Sequence, residues 1–169
     1  MIRNRVKTLA LLFTFLFPAL CFSLPEDREQ IIKLHADTAD LNQSTHRGVY
    51  KGNVCLDQGT THVRAAEAIT EGNAENKLVM ALAKGDKKNQ AHYWATPEKD
   101  KPELHAFADE IYYYPERRVI ELVGNARIQQ GENSFSAAKI IYDTERQHVL
   151  TENNGKGRTT IIIHPEKKS

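Results

Sequence analysis

Seven histidines and 22 acidic residues supply the candidates for acid–base or metal chemistry, and two of the histidines stand close to a carboxylate: His35 with Asp37, and His105 with Asp109. A general base needs a partner within hydrogen-bonding reach, and a metal needs several converging ligands. Residues two apart on a strand point to the same side. His35 and Asp37 therefore share the side opposite Leu34, which reads as a solvated face. The chain has no HExxH, no paired CxxC, no nucleophile elbow and no phosphate-binding glycine loop. Gly155-Lys156-Gly157-Arg158 has the composition of a phosphate cradle, but no helix pattern follows it, and it reads as a β-turn. Of the two cysteines only Cys55 lies outside the leader described below; with no redox or metal spacing around it, it reads as a strand residue. No catalytic residue, cofactor or metal is expected, and function has to be sought in shape and apolar surface.

Arg3, Arg5 and Lys7 precede an apolar run over 9–17, and Cys21-Phe22-Ser23 puts small residues at −3 and −1 of a cut before Leu24. This is the pattern of a secretory signal peptide over 1–23. The run is shorter than the roughly 18 to 20 residues of a spanning helix, and Pro18 stands where such a helix would continue. Removing three positive charges from a net charge of +1 leaves about −2, which gives no reason to expect a nucleic-acid partner. One domain is expected over 24–165, with a frayed tail at 166–169.

The elements that position any site repeat. Gly52-Asn53-Val54-Cys55-Leu56-Asp57-Gln58-Gly59 is echoed by Gly124-Asn125-Ala126-Arg127-Ile128-Gln129-Gln130-Gly131, an offset of 72. The same register lays Ala36-Asp37 on Ala108-Asp109, Ala65-Ala66 on Ala137-Ala138 and Lys84-Gly85 on Lys156-Gly157. Copies over 36–85 and 108–157 predict a duplicated all-β unit. Strands are expected over 32–36, 48–56, 61–69, 77–83, 90–95, 104–114, 119–128, 134–142, 148–151 and 159–163, several of them alternating apolar with polar residues, and Gly, Asn or Pro stands between most of these stretches. A kink is expected at Gly52, and an exposed connection at Thr96-Pro97-Glu98-Lys99-Asp100-Lys101-Pro102 between the copies. No stretch keeps a helical period. The pattern predicts a sandwich, a jelly roll or an open barrel.

The ordered set of Ala36-Asp37, Tyr50-Lys51-Gly52-Asn53-Val54, Gln58-Gly59, Gly124-Asn125-Ala126, Gln129-Gln130 and Gly157-Arg158-Thr159-Thr160-Ile161-Ile162-Ile163 resembles the OstA-like family, the LptA-like periplasmic proteins of lipopolysaccharide transport. The resemblance implies an open, twisted antiparallel β-jelly roll whose apolar trough takes the acyl chains of lipid A. It further implies head-to-tail assembly with its own kind, and with similar β-jelly-roll domains of inner- and outer-membrane components, to bridge the two membranes from the periplasm. On this chain the lipid-facing role falls on Ile32, Leu34, Val54, Leu56, Val63, Leu122, Ala126, Ile128 and Phe135, and by alternation on Tyr142, Ile161 and Ile163. Where the family often has Ala-Asp or Gly-Asp, this chain has Ala65-Ala66 and Ala137-Ala138, so a turn closed by that Asp must be held otherwise.

Taken without the resemblance, an apolar stripe on a strand is ordinary core. Aromatics are only 8% of the chain, and many inward positions are Ala or Val, which leaves room for a ligand. Edge strands at 31–35 and 159–163 would suit end-to-end pairing. The other readings are an LptC-like membrane-anchored component, a β-sandwich enzyme acting on envelope glycans, with carboxylates and His clustered inside, and an adaptor with a filled core.

Overall fold

The computed structural model describes residues 30–97, 99–143, 146, 148–153, 155 and 157–165. The expected leader over 1–23 and tail over 166–169 lie outside the described residues, as do Glu98 of the linking loop and Asn154 and Lys156 of the last turn.

The described residues form twelve strands and no helix: β1 (Lys33–His35), β2 (Thr38–Asn42), β3 (Arg47–Gln58), β4 (Thr61–Gly72), β5 (Leu78–Lys84), β6 (Ala91–Ala95), β7 (Leu104–Ala108), β8 (Glu110–Tyr114), β9 (Val119–Gln130), β10 (Asn133–Asp143), β11 (His148–Glu152) and β12 (Thr160–Ile162). All pairings are antiparallel. The long strands β3, β4, β9 and β10 each serve two arms. The first arm runs β1-β3-β4-β6-β7-β9-β10-β12. The second runs β2-β3-β4-β5-β8-β9-β10-β11. One cluster of buried side chains contains residues of both arms, so each rung is a bent strand or strand pair with its apolar side inward. This is the expected all-β jelly roll. Strands neighbour at about 4.8 Å, so eight rungs make a trough roughly 34 Å long.

The bend follows from two pairs of residues. Gly52 and Asn53 have φ of 77° and 46°, and Gly124 and Asn125 have 80° and 48°. Two successive left-handed residues are tolerated by Gly and Asn and by few others. Each pair is a β-bulge, with a register shift between Lys51 and Val54 against β4, and between Ala137 and Lys139 against β9. A clamp holds each bulge. Asp37 donates its backbone N–H to Gly52 O at 2.9 Å and accepts from Asn53 Nδ2 at 3.0 Å. Asp109 does the same with Gly124 O (2.9 Å) and Asn125 Nδ2 (2.9 Å).

Several expectations change. The single strand over 104–114 is two, β7 and β8, because Asp109 leaves the ladder to make its clamp. β2 was not foreseen: Thr38–Asn42 is exposed throughout, and its alternation rests on Ala39 and Leu41 alone. Ala65-Ala66 and Ala137-Ala138 close no turn. They lie mid-strand opposite the bulges, Ala65 on Val54 and Ala137 on Ala126, where small side chains allow the strand to bend. Pro97 of the linking loop is buried, although residues 99–103 are exposed. Ile32 precedes β1 and Ile163 follows β12, so the edge strands are shorter than alternation implied.

Candidate functional site

Residues opposite one another in an antiparallel ladder share a face. On the first arm the register therefore aligns Leu34, Leu56, Val63, Tyr93, Ala106, Ile128, Phe135 and Ile161 in one uninterrupted row from edge to edge. On the second arm it aligns Ala39, Tyr50, Ala68, Ala83, Ile111, Leu122, Ile140 and Thr151. The two rows face into the V. Of the residues expected to line a trough, Leu34, Leu56, Val63, Ile128, Phe135 and Ile161 fall in the first row and Leu122 in the second. Val54 and Ala126 lie inward beside the bulges, opposite Ala65 and Ala137, and Tyr142 pairs with Ile120 on the inner side of the second arm.

Burial varies along the rows. On the sixth and seventh rungs, β9 and β10, the arms close on each other: Leu122, Ala126, Ile128 and Tyr142 are 1–2% exposed, as is Val54 beside the bulge of β3. Toward the ends Leu34, Leu56, Val63 and Phe135 are half-buried. At the ends Ile32, Leu41, Ile161 and Ile163 are 53–65% exposed. Near the tip of the second arm a cavity of about 240 Å³ lies among Leu41, Gly48, Thr70 and Leu78, with His46, Arg47 and Glu71 at its rim.

The outer faces of the arms differ. The second arm carries a ladder of alternating charge, Lys51, Glu67, Lys84 and Glu110 being successive cross-strand neighbours. Lys84 Nζ lies 3.1 Å from Glu110, and Lys139 Nζ 2.9 Å from Glu121. The Tyr112 hydroxyl donates to Glu110 at 2.6 Å, which, with Lys84, holds that carboxyl below its usual range and pushes the phenol up to about 12. The bond to Glu121 raises Lys139. These pairs fix the register and leave little free charge.

The first arm instead carries a column of rings. Arg64 lies over Trp94 (5.1 Å), Trp94 stacks on His92 (4.5 Å), His92 on Phe107 (4.2 Å), and Arg127 lies over Phe107 (4.7 Å). His62 flanks Trp94 at 4.9 Å and bonds Asp57 at 2.6 Å; this bond, then Arg64, lowers the Asp57 carboxyl. His92 Nε2 and His105 Nδ1 share a hydrogen bond at 3.0 Å. Burial, the neighbouring His105 and the guanidiniums of Arg64 and Arg127 push His92 down to about 4.

Neither His–Asp pair of the sequence forms a reactive site. Asp37 and Asp109 are the bulge clamps, and His105 turns to His92 and, at 3.6 Å, to Glu103. Sequence reasoning missed the ring column because it depends on which strands adjoin. Its one local signal was the crowding of His92, Tyr93 and Trp94. Cys55 is a free, half-buried thiol on the outer side of β3.

The depressed His92 has a consequence for acid stability. Between about pH 4 and 6.5 the unfolded chain takes up a proton there that the folded chain does not, so stability is complete above about 6.5 and falls as pH drops toward 4. The ring is partly solvated, so screening reduces the loss to about 1 kcal/mol. Thermal melts at pH 7.5 and pH 5 are expected to differ by about 3 °C less in a His92→Gln chain than in the wild type.

Residues 33–148 match the family described as LptA/(LptD N-terminal domain) LPS transport protein. The chain is 31% identical to the lipopolysaccharide export system protein LptH of Pseudomonas aeruginosa, over 97% of this chain and 98% of that protein. It is 26% identical to the lipopolysaccharide export system protein LptA of Escherichia coli K12, over 84% of this chain and 76% of that protein. A 59-residue stretch is 44% identical to part of the LPS-assembly protein LptD of Mannheimia succiniciproducens, over 34% of this chain and 7% of that protein. The crystal structure of LptH, described as the LptA homologous periplasmic component of the conserved lipopolysaccharide transport device from Pseudomonas aeruginosa, aligns at a TM-score of 0.72 and 30% identity, over 83% of this chain and 100% of that one.

Proposed function

The chain belongs to the family of LptA and LptD N-terminal lipopolysaccharide transport proteins, and on that premise we propose that it is a periplasmic carrier that shields lipid A acyl chains in the V. The observation that carries this reading is the unbroken inward row from Leu34 to Ile161, apolar on every rung and open at both edges. An acyl chain gains about 0.8 kcal/mol per buried methylene, so a dozen carbons contribute on the order of 10 kcal/mol without a specific polar contact. Lipid enters where the inward residues are half-buried, at Leu34, Leu56 and Phe135, and passes β9 by parting the arms over Leu122, Ala126 and Ile128. Ile32, Val54, Val63, Tyr142, Ile161 and Ile163 complete the lining. The carrier needs no chemistry of its own.

The edges supply the second half of the proposal. β1 and β2 end the stack on one side, and β11 and β12 on the other, each paired on one side only among the described residues. Pairing one end with the opposite end of another molecule is open-ended and builds a bridge. Similar β-jelly-roll domains of inner- and outer-membrane components would join by the same edges.

Photocrosslinking in cells tests the trough, with the probe at Leu34, Leu56 and Val63 and controls at outward Lys33 and His62. Lipopolysaccharide adducts are expected at the first three positions only. Equal labelling at Lys33 and His62, or no adduct at any inward position of the folded, exported chain, would reject the carrier.

A further inference from the structure

Alternation across the sheet puts the ring column back to back with the inward row: Arg64 follows Val63, His92 precedes Tyr93, Phe107 follows Ala106 and Arg127 precedes Ile128. A ligand in the V is separated from this column by the thickness of the sheet, so the trough makes no use of it. The column is too ordered to be incidental surface: its rings stack at interplanar angles of 7° and 24°, with a guanidinium over each end.

We propose that the outer face of the first arm binds a glycan chain bearing carboxylates, separate from the lipid in the trough. Three observations point to this occupant. The first is charge. Lys84 and Lys139 on the outer face of the second arm are matched by carboxylates at 3.1 and 2.9 Å, and Arg64 on the first arm by Asp57 at 3.0 Å. Arg127 has no ion pair among the described residues; it is exposed, touches the Phe107 ring and has Ser136 directly across on β10. A planar guanidinium free of a protein partner is suited to a carboxylate, which it can take through two parallel hydrogen bonds.

The second observation is orientation. Because the rings cover one another's faces, their edges turn outward, and the edge of an aromatic ring carries partial positive charge. Such a surface favours oxygen-rich, anionic partners over cationic ones. The third is composition. Around Arg127 the outward residues include Gln129, Ser134, Ser136 and Thr160, hydroxyl and amide groups able to bond sugar hydroxyls, with the exposed Ile162 beyond Ser134. The column crosses β4, β6, β7 and β9, about 14 Å at three strand spacings, which fits an extended chain of sugars. Since the rings are already stacked, little ordering is required on binding.

Trp94 is the one tryptophan of the chain, so its fluorescence reports on this face alone. The full chain is titrated with polyuronate oligosaccharides, with neutral dextran oligosaccharides of the same length and with phosphatidylglycerol vesicles, calorimetry being run in parallel. Binding of the polyuronate with a change in Trp94 emission, and none of dextran, is expected. Arg127→Ser should weaken that binding at least fivefold, Arg127→Lys should restore part of it, and both should leave lipopolysaccharide binding and the melting temperature unchanged. No polyuronate binding, equal binding of dextran, an Arg127→Ser chain with wild-type affinity, or a response to vesicles alone would overturn the proposal. The outcome does not depend on the trough, because lipopolysaccharide is absent from these titrations.

Discussion

A Gly124→Val chain is expected to lose about 3 to 5 kcal/mol of unfolding free energy in urea, a large share of what holds a domain of this size. Two costs combine. At φ of 80° a β-branched residue is strained by about 1 to 3 kcal/mol. A Cβ at Gly124 would also lie 2.3 Å from Asp109 Oδ2, so the side chain that clamps the bulge has to leave, and its bond to Asn125 Nδ2 goes with it. Loss of that bond adds about 1 to 3 kcal/mol. An Asp109→Ala chain separates the two. Gly124→Val is expected to cost at least about 1 kcal/mol less in the Asp109→Ala background than alone. Equal costs in both would assign the effect to the backbone and to the Cβ of residue 109, which alanine retains 2.9 Å from a Cβ at 124. Gly52 faces Asp37 in the same way, at 2.1 Å, and the same cycle applies there.

Leu56→Asp is expected to weaken lipopolysaccharide binding about 30-fold, equivalent to about 2 kcal/mol, with a smaller effect on folding. Leu56 is half-buried on the second rung, between Leu34 and Val63, so the carboxylate can reach water in the free protein. An acyl chain lying along the row would cover it, and taking a charge out of water without a partner costs several kcal/mol. The neighbouring Cys55 points outward, and Cys55→Asp is the control that changes charge but leaves the trough apolar. Wild-type affinity in Leu56→Asp would place the acyl path away from this row.

The sequence reported what is local. Gly52 announced a kink in the first copy; that Gly-Asn bends the chain at both 52–53 and 124–125 rests on two successive left-handed residues at each. Alternating Val54 and Leu56, and Ala126 and Ile128, announced the long strands and which way they face. What required three dimensions stayed hidden. Asp109 reads as a mid-strand polar residue until Gly124 is seen to accept its N–H. β2 shows only Ala39 and Leu41 at alternate places, too short a pattern to mark a strand without the edge of β3 beside it. The inward row could be assembled only piecemeal, because its members at the middle, Tyr93 and Ala106, are joined to the rest by register rather than by spacing. The outer ring column was illegible for the same reason: Arg64, His92, Phe107 and Arg127 are spread over 64 positions of chain and meet only once β4, β6, β7 and β9 lie side by side.

Because the strands cross the trough, their backbone hydrogen bonds run along its length. Molecules stacked end to end would share one periodic lattice, with the strand spacing of about 4.8 Å as its repeat. Oriented samples of such assemblies would give a meridional reflection at that spacing and an amide I dichroism polarised along the long axis, the optical and scattering signature of cross-β fibres. Isolated molecules, tumbling independently, would show neither.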